Sequence, residues 1–207
     1  MTRLFATRAR VLALLLGLSQ ALFLAAAPAA QAEEHLVIEL KSGRVVIDLL
    51  EDLAPGHVAR VSKLASEGAY DGIAFHRVIE GFMAQTGDVQ FGKLDANGAA
   101  NPQAGFGGSS LPDLEQEFTR TPMVRGMVGA ARGGNDVNSA NSQFFIMLED
   151  KDWMNQGNDI RAFYTAWGRV IEGMAHVDNI QLGDRDDNGA VAEPDVMIRV
   201  YLEPAGS

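Results

Sequence analysis

Residues 75–88 constrain the fold of this chain more than any other stretch. Their pattern predicts two short β-strands joined by a turn at Glu80-Gly81. Side chains alternate between the two faces of a strand, so Arg77 and Gln85 fall on faces that they share with Phe, Ile and Met. A guanidinium is always charged and carries five hydrogen-bond donors, so among apolar side chains it needs a partner or a function. From this stretch alone, an arginine whose charged end extends into solvent is the alternative.

The first 32 residues are organised like a secretory signal peptide. Three arginines are followed by an apolar run at residues 11–27, and Ala30-Gln31-Ala32 comes directly before an acidic segment. A retained membrane anchor is the alternative, but it requires about 20 unbroken apolar residues, and glycine and polar residues interrupt this run. We therefore predict a cleaved signal peptide at residues 1–32 and a single domain at residues 33–207.

The composition argues against several classes of function. Residues 33–207 hold 14 basic and 27 acidic side chains, which gives a formal net charge of −13 with neutral histidines. Nucleic acids and anionic membrane surfaces select basic patches, so neither is an expected partner. The chain has no cysteine, which excludes thiol catalysis, disulfides and thiolate metal sites. An exported domain without disulfides must be stabilised by packing. Beyond the signal peptide, no stretch is apolar enough for stable membrane association.

Beyond the signal peptide, short strands alternate with loops. A hairpin is predicted at residues 36–49 and an amphipathic helix at residues 55–68. Residues 89–112 are rich in Gly, Ala, Asn and Ser and are predicted to form a long surface loop, which in a compact domain is usually functional or poorly ordered. Many short strands with two helices in one domain indicate a closed β-barrel or a sandwich. Further strands are predicted at residues 123–131, 142–148, 164–171 and 196–202, with a short helix at residues 173–180.

Several blocks of the sequence share their residues and their order with one protein family. They are Phe75-His76-Arg77-Val78-Ile79, Phe82-Met83-Ala84-Gln85, Gly87-Asp88, Ser142-Gln143-Phe144-Phe145-Ile146, Trp153 and Trp167-Gly168-Arg169-Val170. With these blocks, the chain resembles the cyclophilins, which are peptidyl-prolyl cis–trans isomerases, over about residues 37–202. With its predicted signal peptide and no cysteine, the chain resembles in particular the periplasmic cyclophilins of Gram-negative bacteria. The resemblance implies a closed eight-stranded antiparallel β-barrel with a helix covering each end. It also implies a monomer without a cofactor in the periplasm, with secretion as the alternative.

The first block suggests how such an enzyme would act on an X-Pro bond. Rotation about this bond has a barrier of roughly 18–20 kcal/mol because the nitrogen lone pair is shared with the carbonyl. The lone pair returns to the nitrogen as the bond twists. A donor aimed at that nitrogen would therefore stabilise the twisted state more than the planar one. By resemblance this donor is Arg77, the predicted catalytic residue, and Gln85 would orient it and bind the substrate backbone.

The resemblance also implies a binding site with two parts. Phe82, Met83 and Phe145 would form an apolar pocket for the proline ring, which excludes water and strengthens the hydrogen bond of Arg77. Phe144 points to the opposite face of its strand and is predicted to pack in the core instead. The other implied substrate-binding residues are Ala131, Arg132 and Gln143 along a peptide groove, a glycine-rich rim at residues 105–108, and Trp153, Met154 and Tyr164 on the far side of the proline pocket.

Some residues depart from the compact eukaryotic cyclophilins. Arg132 stands where many of them have Asn, and Tyr164 where many have His. The segments after Asp88 and between Trp153 and Tyr164 are also longer. Trp153 is the family position associated with cyclosporin binding, and bacterial members often lack this tryptophan. We therefore hypothesise that cyclosporin binds this protein better than it binds most bacterial cyclophilins.

One loop, at residues 184–195, matches most of the pattern of a calcium-binding loop. Asp184 opens it, Gly189 supplies the glycine, and Asp195 replaces the usual final Glu. Against calcium, Pro194 precedes the last ligand, a strand instead of a helix follows, and Asp-Asn-Gly is ordinary turn composition. A turn is therefore the favoured interpretation. The four histidines have no metal-ligand spacing, and no metal site is predicted.

The sequence predicts a peptidyl-prolyl cis–trans isomerase that acts on proline-containing polypeptides, in exported proteins as they fold. A cyclophilin-like binding module or chaperone without significant turnover is the alternative. The joint presence of Arg77, Phe82, Gln85 and Phe145 argues against it. A hydrolase is not supported, because the chain has neither a nucleophile elbow nor a zinc-protease helix.

Overall fold

The structure is a computed structural model that describes residues 34–206, and the predicted signal peptide lies outside this range. Within it the fold is mainly β with two α-helices, as predicted. No helix of residues 34–206 is long and apolar enough to cross a membrane. In chain order the elements are β1 (Glu34–Leu40), β2 (Gly43–Leu49), α1 (Pro55–Ser66), β3 (Ile73–Ala74), β4 (Arg77–Ile79), β5 (Met83–Thr86), β6 (Met127–Ala130), β7 (Phe144–Met147), a 3₁₀ turn (Ile160–Ala162), β8 (Ala166–Glu172), α2 (Met174–Asp178), β9 (Val196–Met197) and β10 (Arg199–Pro204).

Eight strands form one antiparallel sheet in the order β10-β1-β2-β8-β6-β7-β5-β4, and β3 and β9 form a separate pair. The sheet curls around an apolar core, to which α1 contributes its buried face. Phe144 is fully buried in this core, where its ring meets those of Tyr70 and Trp167 edge to face at 5.7 and 5.4 Å. Such ring pairs add to the stabilisation that burial provides. The prediction that Phe144 packs in the core is confirmed.

The predicted closure of the eight strands into a barrel is wrong, because the sheet is a curled half-barrel whose edge strands, β10 and β4, are not neighbours. The turn at residues 183–191 runs along the outer edge of β4 instead. Val78 donates its N–H to the carbonyl of Gly189 at 2.8 Å and accepts the N–H of Gly183 at 3.0 Å. Since this turn satisfies the backbone groups of β4, no other strand can pair there.

A distant carboxylate caps the start of α1. The N-cap residue Ala54 offers no side-chain cap, and Glu117 accepts the N–H groups of Gly56 and His57 at 2.9 and 3.0 Å. His57 Nδ1 lies 2.6 Å from the same carboxylate. Burial lowers the pKa of His57 more than Glu117 raises it, so the neutral ring donates its Nδ1–H to Glu117. These bonds attach the long loop after β5 to the helix.

One buried carboxylate orders the first part of that loop. Asp88 is fully buried and accepts four backbone N–H groups at 2.8–3.0 Å, those of Gln90 and Phe91 on one oxygen and those of Gly105 and Gly107 on the other. A buried carboxylate is stable only when its lone pairs are used in this way. The loop therefore folds back against the end of β5, and the predicted glycine-rich rim is held beside the sheet.

Candidate active site

The hairpin of β4 and β5 places the predicted catalytic arginine opposite a glutamine. Arg77 pairs with Gln85 across the two strands, and Gly81 makes the turn with a φ of 66°, a conformation that favours glycine. Arg77 Nη1 donates to Gln85 Oε1 at 3.2 Å. Because the carbonyl end of Gln85 accepts from the arginine, its amide nitrogen is directed to another acceptor.

A second glutamine extends this contact across the site. Gln85 Nε2 donates to Gln143 Oε1 at 3.0 Å, and Gln143 Nε2 donates to the carbonyls of Gly105 and Gly107 at 3.0 and 2.7 Å. Each side-chain amide serves as acceptor at one end and as donor at the other, which fixes its orientation. A polar network thus runs from Arg77 to the glycine-rich rim.

The other edge of the guanidinium meets a residue that was not predicted to belong to the site. Arg77 Nε donates to the carbonyl of Asn188 at 2.9 Å, and Nη2 donates to its Oδ1 at 3.0 Å. In the sequence, Asn188 stands out only as part of an Asp-Asn-Gly turn pattern, and such a pattern does not indicate which strand the turn will contact. With the bond to Gln85, three of the five donors of Arg77 are used, and one hydrogen on each Nη is left for a substrate.

The positive charge of Arg77 is not neutralised by a carboxylate. Burial lowers the pKa of Arg77, and the electrostatic effect of Tyr164 raises it, but a guanidinium stays protonated in proteins. Its partners Gln85 and Asn188 are neutral, and Arg77 takes part in none of the salt bridges within residues 34–206. The full charge is therefore available to a ligand.

An apolar cluster covers the outer face of the sheet next to this network. Phe145 on β7 pairs with Gln85 on β5, so the cluster lies directly beside the network. The Phe145 ring meets the Tyr164 ring edge to face at 5.3 Å, and the Phe82 ring centre lies 6.1 Å from that of Trp153. The other predicted site residues in the cluster are Met83, the fully buried Met154 and the partly buried Ala131.

The side chain of Arg132 supports the apolar cluster from its far side. Its Nη2 donates to the carbonyls of Phe163 and Arg161 at 2.9 and 3.0 Å, and its Nη1 donates to the carbonyl of Gly133 at 3.0 Å. The guanidinium carbon lies 4.7 Å from the centre of the Tyr164 ring, a distance typical of a cation–π contact. Arg132 therefore fixes Tyr164, and few of its donors are left for a peptide.

A groove of about 310 Å³ lies between the rim and the segment that follows β6. It is lined by the three predicted groove residues, Ala131, Arg132 and Gln143, and by residues 105–107 of the rim. Phe106 is 87% exposed at this rim, which is unusual for such a large apolar side chain. The structure thus brings the predicted site residues together in one region, made of a groove, the polar network and the apolar cluster. Met154 is the exception to the predicted substrate contact, because its side chain is fully buried beneath the cluster.

The residues considered for a metal site have other roles. Within residues 34–206 there is no group of three or more His, Asp or Glu side chains that could hold a metal ion. The carboxylates of Asp184 and Asp195 accept the backbone N–H groups of Asp186 and Gln181. His76 is buried, and burial lowers its pKa.

The family of the chain follows from comparison with known proteins. The model of the family described as cyclophilin type peptidyl-prolyl cis-trans isomerase/CLD matches residues 35–202. The chain therefore belongs to the cyclophilin-type peptidyl-prolyl cis–trans isomerases. It is 51% identical over 177 residues to a probable peptidyl-prolyl cis-trans isomerase of Brucella suis, and the match covers 86% of each protein. It is also 32% identical over 142 residues to peptidyl-prolyl cis-trans isomerase B of Bacillus subtilis. That match covers 68% of this chain and 85% of the other protein.

Solved structures have the same fold. A cyclophilin from Hirschia baltica matches with a TM-score of 0.61 and 24% identity, over 81% of this chain and 73% of that chain. A cyclophilin-type isomerase from Cryptosporidium parvum, whose structure was solved in the presence of the dipeptide Ala-Pro, matches with a TM-score of 0.65 and 20% identity. That match covers 82% of this chain and 98% of the other. At these identities the similarity concerns the fold alone.

Gly107→Ala should weaken the isomerase by displacing the rim. A Cβ at this position would lie 2.5 Å from Asp88 Oδ1 and 2.7 Å from Phe91 Cδ2, so the backbone must shift. The shift would also disturb the bond from Gln143 to the carbonyl of Gly107. We expect kcat/KM for a proline-containing peptide to fall by about tenfold, which corresponds to the loss of one good hydrogen bond.

Gly134→Ala is the matched control for this variant. Gly134 is exposed, has no positive φ, and leaves open space around a Cβ, so its substitution should leave kcat/KM unchanged. Thermal unfolding followed by circular dichroism separates a displaced rim from a misfolded domain. An unchanged kcat/KM in folded Gly107→Ala would contradict the importance of the rim.

Proposed function

We propose that this cyclophilin-type isomerase acts as a monomer on X-Pro bonds of exported proteins while they fold. The observation that carries the proposal is the arrangement of Arg77, a full positive charge held by neutral acceptors at the border of an apolar cluster. The signal-peptide pattern of residues 1–32 supports the exported context. The isomerase names of the relatives argue against a binding module without turnover.

The apolar cluster suits a proline ring. A ring placed against Phe82, Met83 and Phe145 would exclude water from the prolyl nitrogen and leave that nitrogen within reach of the Arg77 donors. As the amide twists, the nitrogen lone pair becomes a better acceptor, so the hydrogen bond from Arg77 strengthens towards the transition state. Because the guanidinium is never deprotonated, the step needs no proton transfer and no cofactor.

The groove suits the extended segment before the proline. The rim carbonyls and the side-chain oxygen of Gln143 each keep one lone pair that the network does not use, so they can accept N–H groups of a peptide main chain irrespective of its sequence. A groove that reads main-chain groups would accept many clients, which fits a role in the folding of different exported proteins. Substrate binding and rotation are thus assigned to adjacent parts of one surface.

Arg77→Ala should lower kcat/KM by about 100-fold or more, the usual cost of removing a preorganised donor to a transition state. The kcat/KM of Arg77→Lys should lie between those of the wild type and Arg77→Ala, because lysine keeps the charge but lacks the planar fork that Gln85 and Asn188 hold. Both variants are measured with a prolyl tetrapeptide by following the cis-to-trans conversion.

Arg169→Ala is the control for the loss of a positive charge. Arg169 is exposed on β8, where it contacts Asp48 at 3.3 Å, and its substitution should leave the rate unchanged. If folded Arg77→Ala turned over as fast as the wild type, the proposed mechanism would be wrong.

The exported location predicts a processed N-terminus. Expressed from residue 1 in a Gram-negative bacterium, the protein should be recovered from the periplasm with Glu33 as its first residue. A variant with Ala30 and Ala32 both changed to arginine should keep the unprocessed N-terminus, because cleavage requires small residues there. Recovery of the wild type in the cytoplasm with residues 1–32 intact would refute the proposal.

We also propose that the protein binds cyclosporin through Trp153. This ring is 55% exposed beside Phe82, whereas the other tryptophan, Trp167, is buried in the core. Cyclosporin at micromolar concentration should therefore inhibit the isomerase and change its tryptophan fluorescence. Trp153→Phe should bind the drug about tenfold more weakly, the loss expected when an aromatic contact of a binding site is reduced. No inhibition of the wild type at micromolar drug would exclude this partner.

A further inference from the structure

We propose that Asn188 is a positioning residue of the isomerase site, which sets the direction of the two free donors of Arg77. The inference rests on the proposed role of Arg77. One edge of the guanidinium, formed by Nε and Nη2, meets two oxygens of this single residue, the backbone carbonyl at 2.9 Å and Oδ1 at 3.0 Å. Because the guanidinium is planar, two bonds on one edge fix both its position and the orientation of its plane.

The backbone of Asn188 has the conformation that this contact requires. Its φ is 51°, in the left-handed region, and in this conformation the carbonyl and the side-chain oxygen both accept from the same edge of Arg77. Asn tolerates this conformation better than most residues other than glycine. Asn can therefore supply both the conformation and a second acceptor.

The turn that carries Asn188 is anchored to the strand that carries Arg77. Gly189 donates to the carbonyl of Asp184 at 2.7 Å within the turn, while Val78 bonds to the turn through both its N–H and its carbonyl. A Cβ on Gly189 would lie 2.5 Å from Ile79 Cγ1, so the turn lies directly against β4. The turn that carries Asn188 is thus held by the two residues that follow Arg77, so Asn188 can act as a fixed reference for the guanidinium.

The two acceptors are neutral, which suits a positioning role. A carboxylate at this place would also orient the guanidinium, but it would offset the charge that a prolyl nitrogen has to meet. Gln85 holds the opposite edge through one longer bond of 3.2 Å. Asn188 therefore supplies most of the restraint on Arg77, although the resemblance to the family drew attention to Gln85 alone.

Asn188→Gly tests the inference, because glycine keeps the positive φ and the carbonyl and removes only Oδ1. We expect kcat to fall by about tenfold or more, the effect of one lost hydrogen bond to a charged group, with KM unchanged. A role in folding alone would lower the thermal stability and leave kcat of the folded protein unaltered. Gln181→Ala, an uncharged substitution at an exposed position two residues before the turn, is the control and should match the wild type.

A double-mutant cycle shows whether the effect passes through Arg77. In an Arg77→Ala background, Asn188→Gly should have no further effect on kcat. The inference is overturned if Asn188→Gly leaves kcat of the wild type unchanged, or if it lowers kcat by the same factor in both backgrounds. Full activity in Arg77→Ala would instead refute the proposed mechanism, so the two failures are distinguishable.

Discussion

The proposed mechanism depends on keeping a guanidinium charged and fixed beside apolar side chains. A carboxylate would satisfy Arg77 more strongly, but it would also offset its charge. Gln85 and Asn188 instead offer neutral oxygens to three of the five donors. These bonds compensate for partial burial of the guanidinium, and they leave the two remaining donors pointing in directions that the planar fork determines.

The position of the apolar cluster depends in turn on the packing of the core. Phe144 and Phe145 are adjacent on β7 and point to opposite faces of the sheet, the first into the core and the second into the cluster. A shift of one residue along the strand would exchange them. The edge-to-face contacts of Phe144 with Tyr70 and Trp167 oppose such a shift, so core packing also holds Phe145 against Tyr164.

Irregular segments complete the site where the regular sheet ends. The turn at residues 183–191 occupies the edge of β4, which keeps the sheet from closing and brings Asn188 to Arg77. The carboxylate of Asp88 holds the glycine-rich rim, and Glu117 attaches the remainder of the same loop to α1. Each of these segments is fixed by hydrogen bonds to backbone N–H groups, and this explains how long loops can form one wall of a defined groove.

The sequence by itself determined the strands around Arg77, the opposite directions of Phe144 and Phe145, and the family, because alternation and motif order depend on residues close together in the chain. It could not reveal that the sheet stays open, that Arg132 lies over the Tyr164 ring, or that Asn188 holds Arg77. Asn188 and Arg77 are 111 positions apart, and a single contact over that separation leaves no periodic pattern. The sequence supplied the donor and the apolar side chains. Only the tertiary structure decided which acceptors orient that donor, because Asn188 lies in a turn whose location depends on the packing of the whole sheet.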